Sequence, residues 1–190
     1  MARHTYTTGI IGNCAFLAHV NTNTNIEWLC WPRFDSTFIF GGLLDKKKGG
    51  EFSILPQSGY TSHQYYLENT NILVTEITVD NGNSYRVTDF APRYYYNQRY
   101  YKPLMLIRKI EAIEGSPRVT VKCTPVSDYG KTKLNVNRGS NHIQFLGGDE
   151  NIRLTTNIPI SYVFDEHAFV LNEPKYLVLT YGEPLEAPLI

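Results

Sequence analysis

Leu73-Val74-Thr75-Glu76-Ile77-Thr78-Val79-Asp80-Asn81-Gly82-Asn83-Ser84-Tyr85-Arg86-Val87-Thr88-Asp89-Phe90 holds two strand patterns around a turn. Leu73, Thr75, Ile77 and Val79 alternate with Val74, Glu76 and Thr78, the period of two that sends successive side chains to opposite faces of a sheet. Asp80-Asn81-Gly82-Asn83 supplies residues that tolerate the backbone of a tight hairpin turn. On the return Tyr85 and Val87 keep the apolar parity, and Asp89 shares it. Its carboxylate therefore points to the core side or its rim, where it must be hydrogen-bonded or paired. Extended back to Tyr65, this is the clearest hairpin of the chain, and it sets an antiparallel reading.

Working outward, the same signals recur. Residues 9–20 read as one half-buried strand, with Ile10, Gly12, Cys14, Phe16, Ala18 and Val20 on one parity. Asn21 to Asn25 reads as a turn, because Asn accepts the left-handed conformation. Ile26 to Trp31 returns from it and stops at Pro32, which cannot donate to a ladder. Phe38 to Asp45 is a short helix or a strand and bend. Glu51 to Pro56 is a strand, and Leu104 to Ile107, apolar on both parities, reads as a central strand covered on both faces. Val119, Val121 and Cys123 alternate with Thr120 and Lys122. His142–Leu146 and Ile152–Thr155 flank a Gly147-Gly148 turn, Ser161–Phe164 and Ala168–Leu171 flank Asp165-Glu166-His167, and Tyr176–Tyr181 closes the series. Many short strands with turns between them and no long helix predict an all-β chain, a large antiparallel β-sandwich.

Composition narrows the function. The 190 residues suit one large domain. Eighteen basic and eighteen acidic residues cancel, so no overall field points to nucleic acid, membrane or an acidic substrate. The start, Met1 to Gly9, has no apolar run of signal-peptide length, and the expectation is a cytoplasmic protein. Cys14, Cys30 and Cys123 are too few and too widely spaced for a disulfide framework and read as buried free thiols. His4, His19, His63, His142 and His167 show no paired spacing, so neither a metal nor a cofactor is expected. Lys46-Lys47-Lys48 reads as a solvated turn. Gly41-Gly42 and Gly49-Gly50 lack the Lys-Ser/Thr of a phosphate loop, and Ser36 lacks the setting of a hydrolase nucleophile.

Residues 26–45 concentrate the chemistry: two indoles, a guanidinium and a carboxylate lie within eight positions, at Trp28, Trp31, Arg33 and Asp35. Trp28-Leu29-Cys30-Trp31-Pro32-Arg33-Phe34-Asp35-Ser36, followed by Leu43-Leu44-Asp45 and Gly49-Gly50-Glu51-Phe52, resembles the N-terminal domain of family 15 glycoside hydrolases, the prokaryotic glucoamylases and related trehalases. The resemblance continues in order through Tyr66-Leu67, Thr70-Asn71-Ile72-Leu73, Val87-Thr88-Asp89-Phe90-Ala91-Pro92, Pro103 to Arg108 and Pro125 to Gly130. Departures are the all-Asn/Thr turn at 21–25, where relatives usually have Gly, Ala91 for a frequent Met, and Ser127 for an aromatic.

That resemblance implies a supersandwich-like fold for residues 1–182 and, from 183 to 190, the start of a linker to a helical catalytic barrel. It also implies a parent that hydrolyses α-glucosidic bonds with inversion, which needs an acid and a base carboxylate on opposite faces of the sugar. In the family both are glutamates of the barrel, so no residue here is expected to be catalytic. The expected partner is the barrel of the same polypeptide, with an α-glucoside at a shared pocket. The alternative is an independent glucan-binding module.

Three constellations are candidates for pocket or domain interface. Arg33 and Asp35 offer the donor fork and paired acceptors that sugar hydroxyls need, with Trp28 or Trp31 as a flat surface. The plain alternative is a structural ion pair with buried indoles. Asp89 with Arg93 is a polar rim or a hairpin end. Tyr94-Tyr95-Tyr96 and Tyr100-Tyr101 suit a protein interface or carbohydrate stacking.

Overall fold

The computed structural model describes residues 7–185. Its strands begin with β1 (Thr8–Gly12), β2 (Leu17–Asn21), β3 (Ile26–Cys30), β4 (Phe38–Phe40), β5 (Glu51–Pro56) and β6 (Tyr60–Tyr66). They continue with β7 (Leu73–Val79), β8 (Ser84–Phe90), β9 (Tyr94–Tyr96), β10 (Arg99–Tyr101), β11 (Met105–Glu114) and β12 (Arg118–Thr124). Then come β13 (Val126–Ser127), β14 (Thr132–Lys133), β15 (Asn135–Arg138), β16 (His142–Leu146), β17 (Ile152–Thr156), helix α1 (Ile160–Phe164), β18 (Phe169–Val170) and β19 (Lys175–Tyr181).

Eight strands form one antiparallel sheet in the order β15-β16-β17-β19-β11-β8-β7-β6. The other layer is split into β1-β2-β3-β4 and β18-β12-β5. Thr24, in the turn after β2, joins these two pieces: its hydroxyl donates to the Ile54 carbonyl and accepts from the Ile54 N–H, both at 2.9 Å. The hydroxyl of Tyr85 on β8 crosses to the same carbonyl at 3.1 Å. Between the layers lies one apolar core, including Phe16, Trp31, Phe40, Phe52, Ile54, Ile77, Val87, Leu106, Val121 and Leu179. The expected antiparallel sandwich is the observed fold.

The opening hairpin is β7–β8, with Leu73, Thr75, Ile77, Val79, Tyr85, Val87 and Asp89 all buried. Val119, Val121 and Cys123 are buried on β12 as the alternation predicts. Phe38 to Asp45 resolves into a strand and a bend. The glycines there serve close packing: a Cβ on Gly49 would lie 2.3 Å from the Gly41 carbonyl carbon, where the Gly41 N–H donates to the Gly49 carbonyl at 2.7 Å.

Three of the strand readings need correction. Residues 9–20 are two strands, because Asn13 turns the chain: its side chain accepts from the Ala15 N–H at 3.0 Å and donates to the Pro92 and Pro103 carbonyls. Across that turn the parity flips, so Ile11 is buried while Ile10 and Cys14 are exposed. Ser161 to Phe164 is helical in α1, where Ile160 and Val163, three apart, bury one helical face. β11 is central but covered on one face: Leu106, Arg108 and Ile110 are buried, and Met105, Ile107 and Lys109 only partly. His4 and residues 186–190 of the expected linker lie outside the described residues.

Candidate functional site

Asp89 sits on the buried parity of β8, opposite Arg108 on β11 in the ladder register. Both side chains have no exposed surface. Arg108 Nε and Nη2 donate to the two carboxylate oxygens at 2.8 and 3.1 Å. Nη1 donates to the Phe52 carbonyl at 2.7 Å, Nη2 also donates to the Thr24 carbonyl, and the guanidinium stacks 4.7 Å over the Phe52 ring. One planar fork thus joins both layers, with most of its donors used where water cannot replace them. Asp89 is therefore no rim residue, and Arg93 is not its partner. The alternation of Arg108 with Leu106 and Ile110 was the signal that a cation also shared the buried parity.

Arg33 and Asp35 make the same bidentate pair in the opposite setting. Nε to Oδ1 is 2.9 Å and Nη2 to Oδ2 is 2.6 Å, with side chains 75 % and 69 % exposed. The hydrogen bond from Arg33 holds the Asp35 carboxyl below its ordinary range. The loop closes on itself, the Ser36 N–H donating to the Arg33 carbonyl at 3.1 Å, and leaves Phe34 exposed. The indoles do not flank it as a platform. Trp31 is fully buried, edge-on to Phe16 at 5.2 Å and 6.0 Å from Tyr181. Its Nε1 has no hydrogen-bond partner among the described residues. Trp28 is half-buried and packs on Phe38 at 5.8 Å, and Phe38 in turn meets Tyr129 at 5.9 Å.

The tyrosine run forms the β9–β10 hairpin, a separate two-stranded ribbon. Tyr94 and Tyr101 lie opposite in register, their rings stacked at 5.4 Å and 9°, and all five tyrosines are exposed. Arg93 at its base donates to the Cys14 thiol at 3.3 Å and lies 5.0 Å over the Tyr100 ring. A lone two-stranded ribbon is marginal in water, and this one shows its aromatics to solvent.

What sequence could not place is that these pieces share a wall. An open groove of about 1260 Å³ runs over Met105 and Ile107, the half-covered parity of β11. Pro32, just before Arg33, and Tyr94 of the ribbon line it, as do Gly182 to Leu185 where the chain leaves β19. Asp149, Glu150 and Glu183 add an acidic edge. Burial, with Asp149 and Glu150 nearby, raises the Tyr181 hydroxyl above its ordinary range. The groove combines an apolar floor, Tyr94 and Tyr181 at its side, and an acidic edge.

The family described as "Trehalase-like, N-terminal" matches residues 2–167. The chain is 32% identical to a protein named trehalase from Thermoplasma volcanium, over 92% of this chain and 29% of that protein. It is 32% identical to the trehalase of Thermoplasma acidophilum, over 86% of this chain and 29% of that one. Against trehalase 1 of Sulfolobus acidocaldarius the identity is 33%, over 80% and 25%. The chain thus spans less than a third of the length of the relatives it matches. No solved structure matches it.

Proposed function

The chain belongs to the trehalase-like N-terminal domain family, and on that premise we propose that it is the non-catalytic β-sandwich of a longer trehalase-type glycoside hydrolase. In this reading the parent hydrolyses an α-glucosidic bond, as a trehalase or a related glucoamylase, and its acid and base carboxylates lie outside this chain. The sandwich supplies a rigid face against which the remaining polypeptide is held, in the cytosol. The groove over Met105 and Ile107 is that face, and the Arg33–Asp35 loop beside it borders the entrance to the substrate pocket.

The observation that carries this reading is the groove itself. Tyr94 of the exposed tyrosine ribbon, Pro32 just before Arg33 and the exit of the chain from β19 line one open surface. Relatives with more than three times the length supply the polypeptide to cover it. The two carboxylates of the candidate loops do not form a hydrolytic pair, since Asp89 is sealed beneath Arg108 and Asp35 is exposed in its own ion pair.

Hydrogen exchange compares this chain with the parent protein. We expect amides of β9, β10, Gly182, Glu183 and Leu185 to gain protection in the longer form, while β7 and β8 stay unchanged. Equal exchange of the ribbon in both forms overturns the interface. Titration with trehalose and maltooligosaccharides adds the discriminating arm: saturable binding by this chain alone turns the domain into an independent glucan-binding module.

A further inference from the structure

A second cavity, of about 540 Å³, shares no lining residue with the groove. Its volume falls in the range of about 300–1,000 Å³ common to small-ligand pockets. The floor is apolar and belongs to both layers: Ile143 and Phe145 from β16 of the large sheet, Cys123 from β12, Leu134 after β14, and Val163 of α1. These side chains are nearly sealed in the core, while Val126, Val136 and Phe164 at the mouth are partly exposed.

The rim is cationic. Lys47 and Lys48 from the loop before β5, Lys122 from β12 and Lys133 from β14 line the cavity. Lys122 is paired with Glu51 at 2.9 Å. Lys47, Lys48 and Lys133 make no side-chain ion pair among the described residues; the Asp45 carboxylate near the first two is held by their backbone N–H groups at 2.8 and 3.2 Å, and Glu166 is the acidic residue in the lining. In a chain whose formal charge is zero, this surplus of positive charge over an apolar floor is local. A sugar fits poorly: Phe145 is buried in the floor cluster and the Arg138 guanidinium covers the face of Phe164 at 3.8 Å, so neither ring is open for stacking.

We propose that this cavity binds a single-tailed amphipathic anion, its apolar tail on Phe145, Leu134 and Val163 and its carboxylate among Lys47, Lys48 and Lys133. Tail burial supplies most of the affinity, and the lysines select the charged head.

The test titrates the chain with octanoate, 1-octanol and acetate while following backbone amide resonances. Octanoate is expected to shift Val126, Leu134, Val136, Val163 and Phe164 saturably, and acetate to leave them still. The double variant Lys48→Gln/Lys133→Gln, changed at exposed positions, should weaken octanoate about tenfold and leave octanol unaffected. Val136→Trp, at an exposed edge-strand site, should block both. Unmoved resonances in the presence of octanoate overturn the site, as does octanoate binding that ignores the lysine changes. Capture of the chain by phosphatidylglycerol vesicles that octanoate fails to displace would make the lysines a membrane contact and likewise overturn it.

Discussion

Arg33–Asp35 and Arg108–Asp89 are chemically the same contact, a guanidinium fork on a carboxylate, and differ in where the chain puts them. The first joins residues two apart on an exposed loop, with side chains 75 % and 69 % exposed. The second joins neighbouring strands of the large sheet and is sealed from water. Water and salt screen the first, so its geometry says little about stability. The second has lost hydration on both charges, and its value lies in the Thr24 and Phe52 carbonyls that it also satisfies across the core. An ion pair is thus a surface ornament or a keystone of the core according to burial alone.

The largest effect comes from removing one half of the sealed pair. Asp89→Ala strands the Arg108 charge and should cost roughly 3–5 kcal/mol, read as a lower urea midpoint in equilibrium unfolding. A midpoint within error of the unchanged chain would break the contrast. Asp89→Leu combined with Arg108→Met removes both charges and should recover part of that loss. The Thr24 and Phe52 carbonyls then lose their donor, leaving a residual cost of about 1–3 kcal/mol each.

Between the extremes stands His142, half-buried, with Nδ1 3.0 Å from the Arg153 guanidinium. Burial, reinforced by that cation, lowers its pKa from the ordinary 6.5. Burial lowers His19 as well, against the opposing pull of Glu27. Below pH 6.5 the unfolded chain takes up these protons before the folded one does. Stability should therefore be full above that pH and fall as acidification proceeds toward the folded values. Unfolding midpoints measured across this window should drop, and His142→Gln should flatten part of the slope.

The smallest effect is expected at the exposed pair. Arg33→Ala should leave the unfolding midpoint of this chain unchanged. It should move the Asp35 carboxyl back up toward the ordinary carboxylate range in an NMR titration, since Arg33 is the main cause of its depression. Added salt should shrink the shift. A midpoint that falls with Arg33→Ala would give the loop a structural weight that its exposure denies.

Much of this was legible in the chain. The alternation at 73–90 and 119–123 identified strands and their buried sides, because a period of two decides which residues share a face. The requirement that Asp89 be paired was legible too, since its parity carried it inward. Its partner was not: Arg93 is nearer in sequence, but Arg108 faces Asp89 only through strand register. The 9–20 pattern misled because Asn13 draws on the Pro92 and Pro103 carbonyls, acceptors some eighty to ninety positions away.

The amino-acid order by itself determined the local terms: periodicity, turn chemistry, the charge balance, and the ordered motifs that mark a family. Tertiary structure alone decided which charges are sealed and which are wet, which aromatic residues pack and which stand exposed, and that Pro32, Tyr94 and the exit from β19 line one surface. The reason is range. Alternation and turn propensity act between residues a few positions apart, whereas desolvation depends on everything packed around a group, most of it contributed by strands distant in the chain.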